Sequence, residues 1–163
     1  MEAVQRYSLI ADYFIALSNE RQSPITNLKL QKLVYYAQAW HMVLVKRDLI
    51  AENFQAWVHG PVIPALYNDY REFGWKPLMR DDLTPDAFTK IKEQLPADTL
   101  QLLQDVCYEY FGLEAFELEK LTHNEDPWLI TRKGLADDAP SDRIIDKALI
   151  KGYYSKFSMD EQD

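Results

Sequence analysis

ITNLKLQKLVYYAQAWHMVL, residues 25–44, decides the fold. Leu30, Leu33, Val34, Ala37, Trp40, His41 and Leu44 recur at spacings of three and four, which places them on one face of an α-helix. Thr26 stands just ahead of the stripe, where its hydroxyl can accept an unpaired N–H of the first turn. The spacing predicts a helix over about 27–46. Lys29 and Lys32 share another face of it, and lysines on the outer face of an amphipathic helix are ordinarily solvated.

Helical patterns continue on both sides. Val4, Tyr7, Ala11, Phe14, Ile15 and Ser18 form a stripe over 3–19, which NERQSP interrupts. Residues 85–94 read as a helix after Thr84-Pro85. Pro96 opens another, closed by Gly112, with Leu100, Leu103, Val106, Cys107, Tyr110 and Phe111 on its apolar stripe. Leu113 to Leu121 reads as a short helix. Asp126 then caps a further one, with Pro127 at its first position and Gly134 ending it. DDAPSD is a loop, and a last helix holds Ile144, Ile145, Ala148, Leu149 and Tyr153.

The stretch between these helix blocks has a different character. Leu49-Ile50 and FQAWV predict two short strands around a polar turn. Within FQAWV, Phe54, Ala56 and Val58 point one way and Gln55 and Trp57 the other. AWVHGPVIPALY, residues 56–67, then turns a corner. Gly60 precedes a proline, which favours extended backbone. With Pro61 at the cap, Pro64 falls in a first helical turn, where its missing N–H removes no bond. That helix runs to about Phe73, and Gly74 stops it. WKPLMR, residues 75–80, reads as a third short strand or a loop. The expected fold is mainly α: one multi-helix domain over 1–158, with a β-hairpin or three-stranded β element around 48–80. Residues 159–163 are expected to form a frayed tail. Trp40, Trp57 and Trp128 follow apolar patterns and are expected to be mostly buried, and Trp75 to be more exposed.

Composition bounds the function. The net charge of −8 is uneven: residues 1–80 carry nine basic and seven acidic side chains (+2), and residues 81–163 nine and nineteen (−10). Such acidity repels phosphate backbones and argues against nucleic acid as the main partner, while it would steer in a basic protein. A small winged-helix-like regulator is the alternative on that side: Lys29 and Lys32 share a helix face with Lys46 and Arg47 at its far end, but no basic recognition face of four or more residues appears. The single cysteine, Cys107, cannot form an internal disulfide and fits a reducing cytosol. Its place in a helix stripe reads as a buried, inert thiol. The N-terminus carries early acids and no basic region, so no signal peptide is expected, and HMVLV is too short to span a bilayer. A cytoplasmic protein is the expectation.

Catalytic signals are absent. The five glycines are isolated, which excludes a Gly-rich phosphate loop, and no GxSxG elbow occurs. His41, His59 and His123 are the histidines, and none sits at a local metal spacing. A metal-binding enzyme built on them is an alternative that needs the fold to bring them together. His41 reads better as a hydrogen-bonded core histidine. LTHNEDPW, residues 121–128, is a second corner like the first: a His, a proline-started helix and a nearby Trp.

Three blocks in this order, LKLQKLVYYAQ, AWVHGPVIPALY and LTHNEDPW, resemble the signature of the Panacea (SocA-like) antitoxin domain, and the likeness spans residues 4 to about 157. The resemblance implies a mostly helical domain with a small β element. It implies a non-enzymatic, cytoplasmic bacterial or prophage antitoxin that binds a cognate protein toxin and blocks it, without catalytic residues, metal or cofactor. Partner toxins of the family have unrelated folds, and one branch acts as an adaptor presenting its toxin to a ClpXP-type protease. Nothing appended to the domain, such as a DNA-binding module, is evident. The signature residues are Gln31, Lys32, Tyr35, Tyr36 and Trp40 in the first block. They are Trp57, His59, Gly60, Pro61, Pro64 and Tyr67 in the second, and His123, Glu125, Pro127 and Trp128 in the third. Scaffold and partner contact are both open for them.

Overall fold

Helix α2, Asn27–Trp40, is the centre of the molecule in the computed structural model, which describes residues 4–158. The frayed tail expected at 159–163 lies outside the described residues. Thr26 caps α2 as its position predicts, its Oγ1 accepting from the Lys29 N–H at 3.2 Å. The helix then widens into a π turn, His41–Val45, and ends at Lys46 in the left-handed region.

One correction concerns which faces of α2 are buried. All of its fourteen residues except Leu28 and Trp40 are buried, so the apolar stripe is only part of what is covered. Lys29 and Lys32 are 8% and 1% exposed, against the expectation of a solvated face, while Leu44 of the stripe is exposed. A helix enclosed on all sides must satisfy its polar groups internally. Lys29 donates from Nζ to the Phe111 carbonyl at 2.6 Å and lies over the Phe111 ring. Gln38 accepts from the Leu49 and Ile50 N–H groups and donates to the Ile50 carbonyl.

Around α2 pack helix α1 (Tyr7–Glu20), helices α3 (Pro64–Asp69) and α5 (Ala97–Val106), and helices α6 (Ala115–His123) and α8 (Lys147–Ser155). Helix α4 (Pro85–Gln94) lies on α1, where Tyr13 meets Phe88 edge to face. Val4 precedes α1 and is exposed, so the first helix starts later than its pattern suggests. Helix α5 also continues as a π turn, Cys107–Phe111. Helix α7 is Asp126–Thr131. Asp126 is its first residue rather than its cap, which shifts Pro127 to the second position. The cap position belongs to Glu125, whose carboxylate is used elsewhere.

The sheet has three antiparallel strands in the order β2-β1-β3. Strand β1 is Phe54–Trp57, β2 is Gly60–Val62 and β3 is Ile144–Ile145. The small β element is as expected, but its members differ. Leu49-Ile50 is no strand of this sheet, because the Gln38 side chain takes up its amides, and Ile50 pairs only with Gln5. The hairpin partner of β1 is instead the corner itself, with Trp57 opposite Gly60 and Ala56 opposite Pro61. Pro61 is therefore a strand residue and Pro64 alone opens α3. Helix α3 is shorter than expected: it gives way to a 3-10 turn, Arg71–Phe73, before Gly74. Residues 75–80 take the loop option. Ile144 and Ile145 pair with β1, and the last helix starts only after Asp146, whose Oδ1 accepts from the Ala148 N–H.

Trp128 is buried, Trp40 and Trp57 are mostly covered though not fully buried, and Trp75 is 74% exposed, as expected. Among the described residues no helix is long and apolar enough to cross a membrane.

Candidate functional site

The corner of the second block is built over a buried lysine. Gly60 has φ +109°, not the extended geometry its proline neighbour suggested. A Cβ there would collide with Lys32 Cε and stand 2.9 Å from Thr122 Oγ1. Glycine is thus required twice, by the left-handed backbone and by the close approach of the Lys32 stem. Among the described residues Lys32 Nζ has one acceptor, the Pro61 carbonyl at 3.4 Å. Burial pushes its ammonium down to about 7, against the opposing pull of the Glu119 carboxylate.

Neighbouring signature residues fasten the same corner through its backbone. Gln31 Oε1 accepts from the Ile63 N–H at 3.0 Å, just where β2 hands over to α3. Its Nε2 donates to Asn27 Oδ1, and Asn27 Nδ2 donates to the Tyr67 carbonyl. Trp128 Nε1 donates to the Trp57 carbonyl at 2.8 Å, tying the third block to the second. His123 stacks on Trp128 at 3.9 Å. Burial lowers the pKa of His123, and its Nε2 is buried without a hydrogen-bond partner among the described residues.

A second cluster joins the first block to the third. The Tyr36 hydroxyl donates to Glu125 Oε1 at 2.8 Å, and the Tyr154 hydroxyl lies 2.6 Å from the same oxygen. Tyr35 is 3.2 Å from the Tyr154 hydroxyl, Tyr36 stacks on Tyr110, and Trp40 Nε1 donates to the Tyr110 hydroxyl. Burial raises the Glu125 pKa, and the two hydroxyl bonds hold it back. These tyrosines and Glu125 pin α8 and the start of α7 against α2.

On its outer side the corner opens into a cleft of about 620 Å³. Trp57, His59 and Tyr67 of the signature line it, together with Trp75 and the loop Pro140–Asp142. Trp57 meets Tyr67 edge to face at 5.1 Å, and His59 meets Trp75 at 5.9 Å. His59 is exposed, with Nδ1 3.2 Å from both carboxylate oxygens of Glu119. Sequence reasoning missed Asn27, Leu28, Gln55 and the Pro140–Asp142 wall. Trp75 was read as exposed, but a single exposed ring carries no sign of a cleft.

His41 stands apart from His59 and His123, which share the neighbourhood of Glu119. Both ring nitrogens of His41 are engaged, with the Arg47 carbonyl at 2.8 Å and Thr99 Oγ1 at 2.9 Å. Among the described residues no group of three His, Cys, Asp or Glu is arranged to hold a metal ion. Cys107 is buried and its thiol is pushed up to about 12. Of the four basic residues considered for a DNA-binding face, Lys29 and Lys32 are buried and Arg47 forms a two-bond ion pair with Asp98.

The result is an α-rich domain whose polar core residues lock two corners, with an aromatic cleft outside one of them. Residues 30–129 match the family model of the SocA-like antitoxins, the Panacea domain, and the chain belongs to this family. It is similar to antitoxin SocA of Caulobacter vibrioides (strain NA1000 / CB15N), with 28% identity over 116 residues. That alignment covers 68% of this chain and 62% of the relative, so the chain spans less than two thirds of that relative's length. No solved structure matches.

Proposed function

We propose that this chain is the antitoxin of a toxin–antitoxin pair, neutralising a cognate protein toxin by direct contact. The carrying observation is the Panacea match, whose span holds the second and third signature blocks and nearly all of the first. In this reading the domain reaches from the N-terminus to residue 158, it is not an enzyme and needs no cofactor, and it works in the cytoplasm of a bacterium or from a prophage. Buried signature residues serve as scaffold: Gln31, Lys32, Tyr35, Tyr36, Gly60, Pro61, Pro127 and Trp128, with half-buried Glu125. Half-buried and exposed ones facing the cleft, Trp57, His59 and Tyr67, serve contact with the partner. A scaffold fixed from inside leaves the outer surface free to differ from one antitoxin to the next.

Delivery of the bound toxin to a ClpXP-type protease is a second route to neutralisation. Co-expression tests the proposal. The open reading frame beside this gene is induced alone and together with it. Growth arrest relieved by this chain, with the two proteins purifying together, is the expected result. Arrest that persists at full antitoxin expression overturns it. Repeating the experiment in a host lacking the protease separates blocking from delivery.

A further inference from the structure

The geometry points to the cleft beside the corner as the toxin-docking surface, and to a partner segment that inserts a lysine or arginine flanked by apolar side chains. This rests on the antitoxin reading and adds the surface and the chemistry of its occupant. One side of the cleft is aromatic: Trp57, Tyr67 and the exposed Trp75. The other is the loop 136–142, ADDAPSD, which brings Pro140, Ser141 and Asp142 to the rim. Asp137, Asp138 and Asp142 are exposed and form no ion pair among the described residues.

The loop is held in place rather than left to drift. Arg132, buried, donates to the carbonyls of Ala136 at 3.0 Å and Ala139 at 2.7 Å, and its other nitrogen donates to the Ala56 carbonyl of β1. One guanidinium thus joins the acidic wall to the strand that carries Trp57. Ring faces attract a cation, and the unpaired Asp142 carboxylate, the one of the three that lines the cleft, adds to that attraction. The alkyl stem of Lys or Arg packs on the rings, so a single basic side chain suits both walls. A phosphate-bearing occupant would meet the Asp142 carboxylate with the wrong sign.

Two arms test this. In the first, the indole N–H signals of the full chain are followed by NMR while two acetylated, amidated tripeptides are added, one with arginine between two leucines and one with glutamate. Saturable shifts of the Trp75 and Trp57 signals with the arginine peptide, at least fivefold weaker with the glutamate peptide, are expected. They should weaken in Asp142→Asn and with added salt, as screening acts over about 8 Å at physiological ionic strength. Indoles unmoved at about 10 mM peptide, equal response to both peptides, or a response to adenosine monophosphate alone overturns the cleft chemistry. In the second arm, Trp75→Ala and Asp142→Asn are scored for rescue from the neighbouring toxin. Both positions are exposed, and circular dichroism confirms that the variants fold. At least tenfold weaker toxin binding is expected. Full binding by both variants overturns the docking assignment and leaves the antitoxin reading standing. Failure of the unmodified chain to rescue overturns that reading, while the peptide arm still decides what the cleft takes.

Discussion

Lys32→Met isolates the buried ammonium under Gly60. In the folded chain Lys32 ionises near 7, against 10.5 for an ordinary lysine, because burial disfavours the charged form. Below about pH 7 the amine is protonated in both states, and the folded state bears the full cost of the buried charge. Above 10.5 it is neutral in both. Between those limits the unfolded chain holds more protons, so stability rises with pH, at about 1.4 kcal/mol per pH unit. From about pH 7.5 to about pH 9.5 the wild type should therefore gain about 2.5 kcal/mol that Lys32→Met does not. Other lysines and the tyrosines titrate in both proteins and cancel in the difference. His123 beside it is held below its ordinary value by burial and so does not titrate in the window. The lost bond to Pro61 is long, so the variant should match or exceed the wild type at about pH 7.5, as apolar replacements of buried charges often do. Urea denaturation at several pH values gives both curves. Parallel curves across the window would refute a buried lysine with a depressed pKa.

Gly60→Ala should cost about 2–3 kcal/mol, from the left-handed backbone and the collision with Lys32; an unchanged urea midpoint would contradict the corner as described. Trp128→Ala should cost about 3–5 kcal/mol, whereas Trp75→Ala should stay within about 0.5 kcal/mol. Thermal melts of the pair check both, and a Trp128→Ala variant melting like the parent would remove that residue from the core. Tyr36→Phe removes a donor to Glu125, and should cost about 1–3 kcal/mol at neutral pH and raise the Glu125 pKa further, readable by carboxylate NMR. Cys107 should resist a disulfide reagent at mildly alkaline pH until denaturant is added; rapid labelling of the folded protein would contradict its burial.

The helices were legible because their cores follow the 3.6-residue period, as Leu30, Leu33, Val34 and Ala37 do. The same periodicity misled where it was incomplete. Ile144 and Ile145 fit the stripe of the last helix, yet they pair with β1, a contact no local pattern carries. Lys29 and Lys32 read as solvated because a buried ammonium is rare, and the groups that accept them, the Phe111 and Pro61 carbonyls, are distant in sequence. Gly60 was placed in extended geometry from its proline neighbour, while the deciding fact is the Lys32 stem beneath it. The signature blocks were legible as a set. The cleft was not, because its walls come from residues 27–28, 55, 57–59, 67, 74–75 and 140–142, which only the fold assembles.

Direct neutralisation is tested most closely with purified components. This chain and the protein encoded beside it are mixed without protease or ATP, and complex formation by light scattering is compared with loss of toxin activity. Blocking by contact predicts a stable complex and inhibition that rises in step with the fraction of toxin bound. A toxin that stays fully active in the presence of excess antitoxin, with no complex detected, would contradict it.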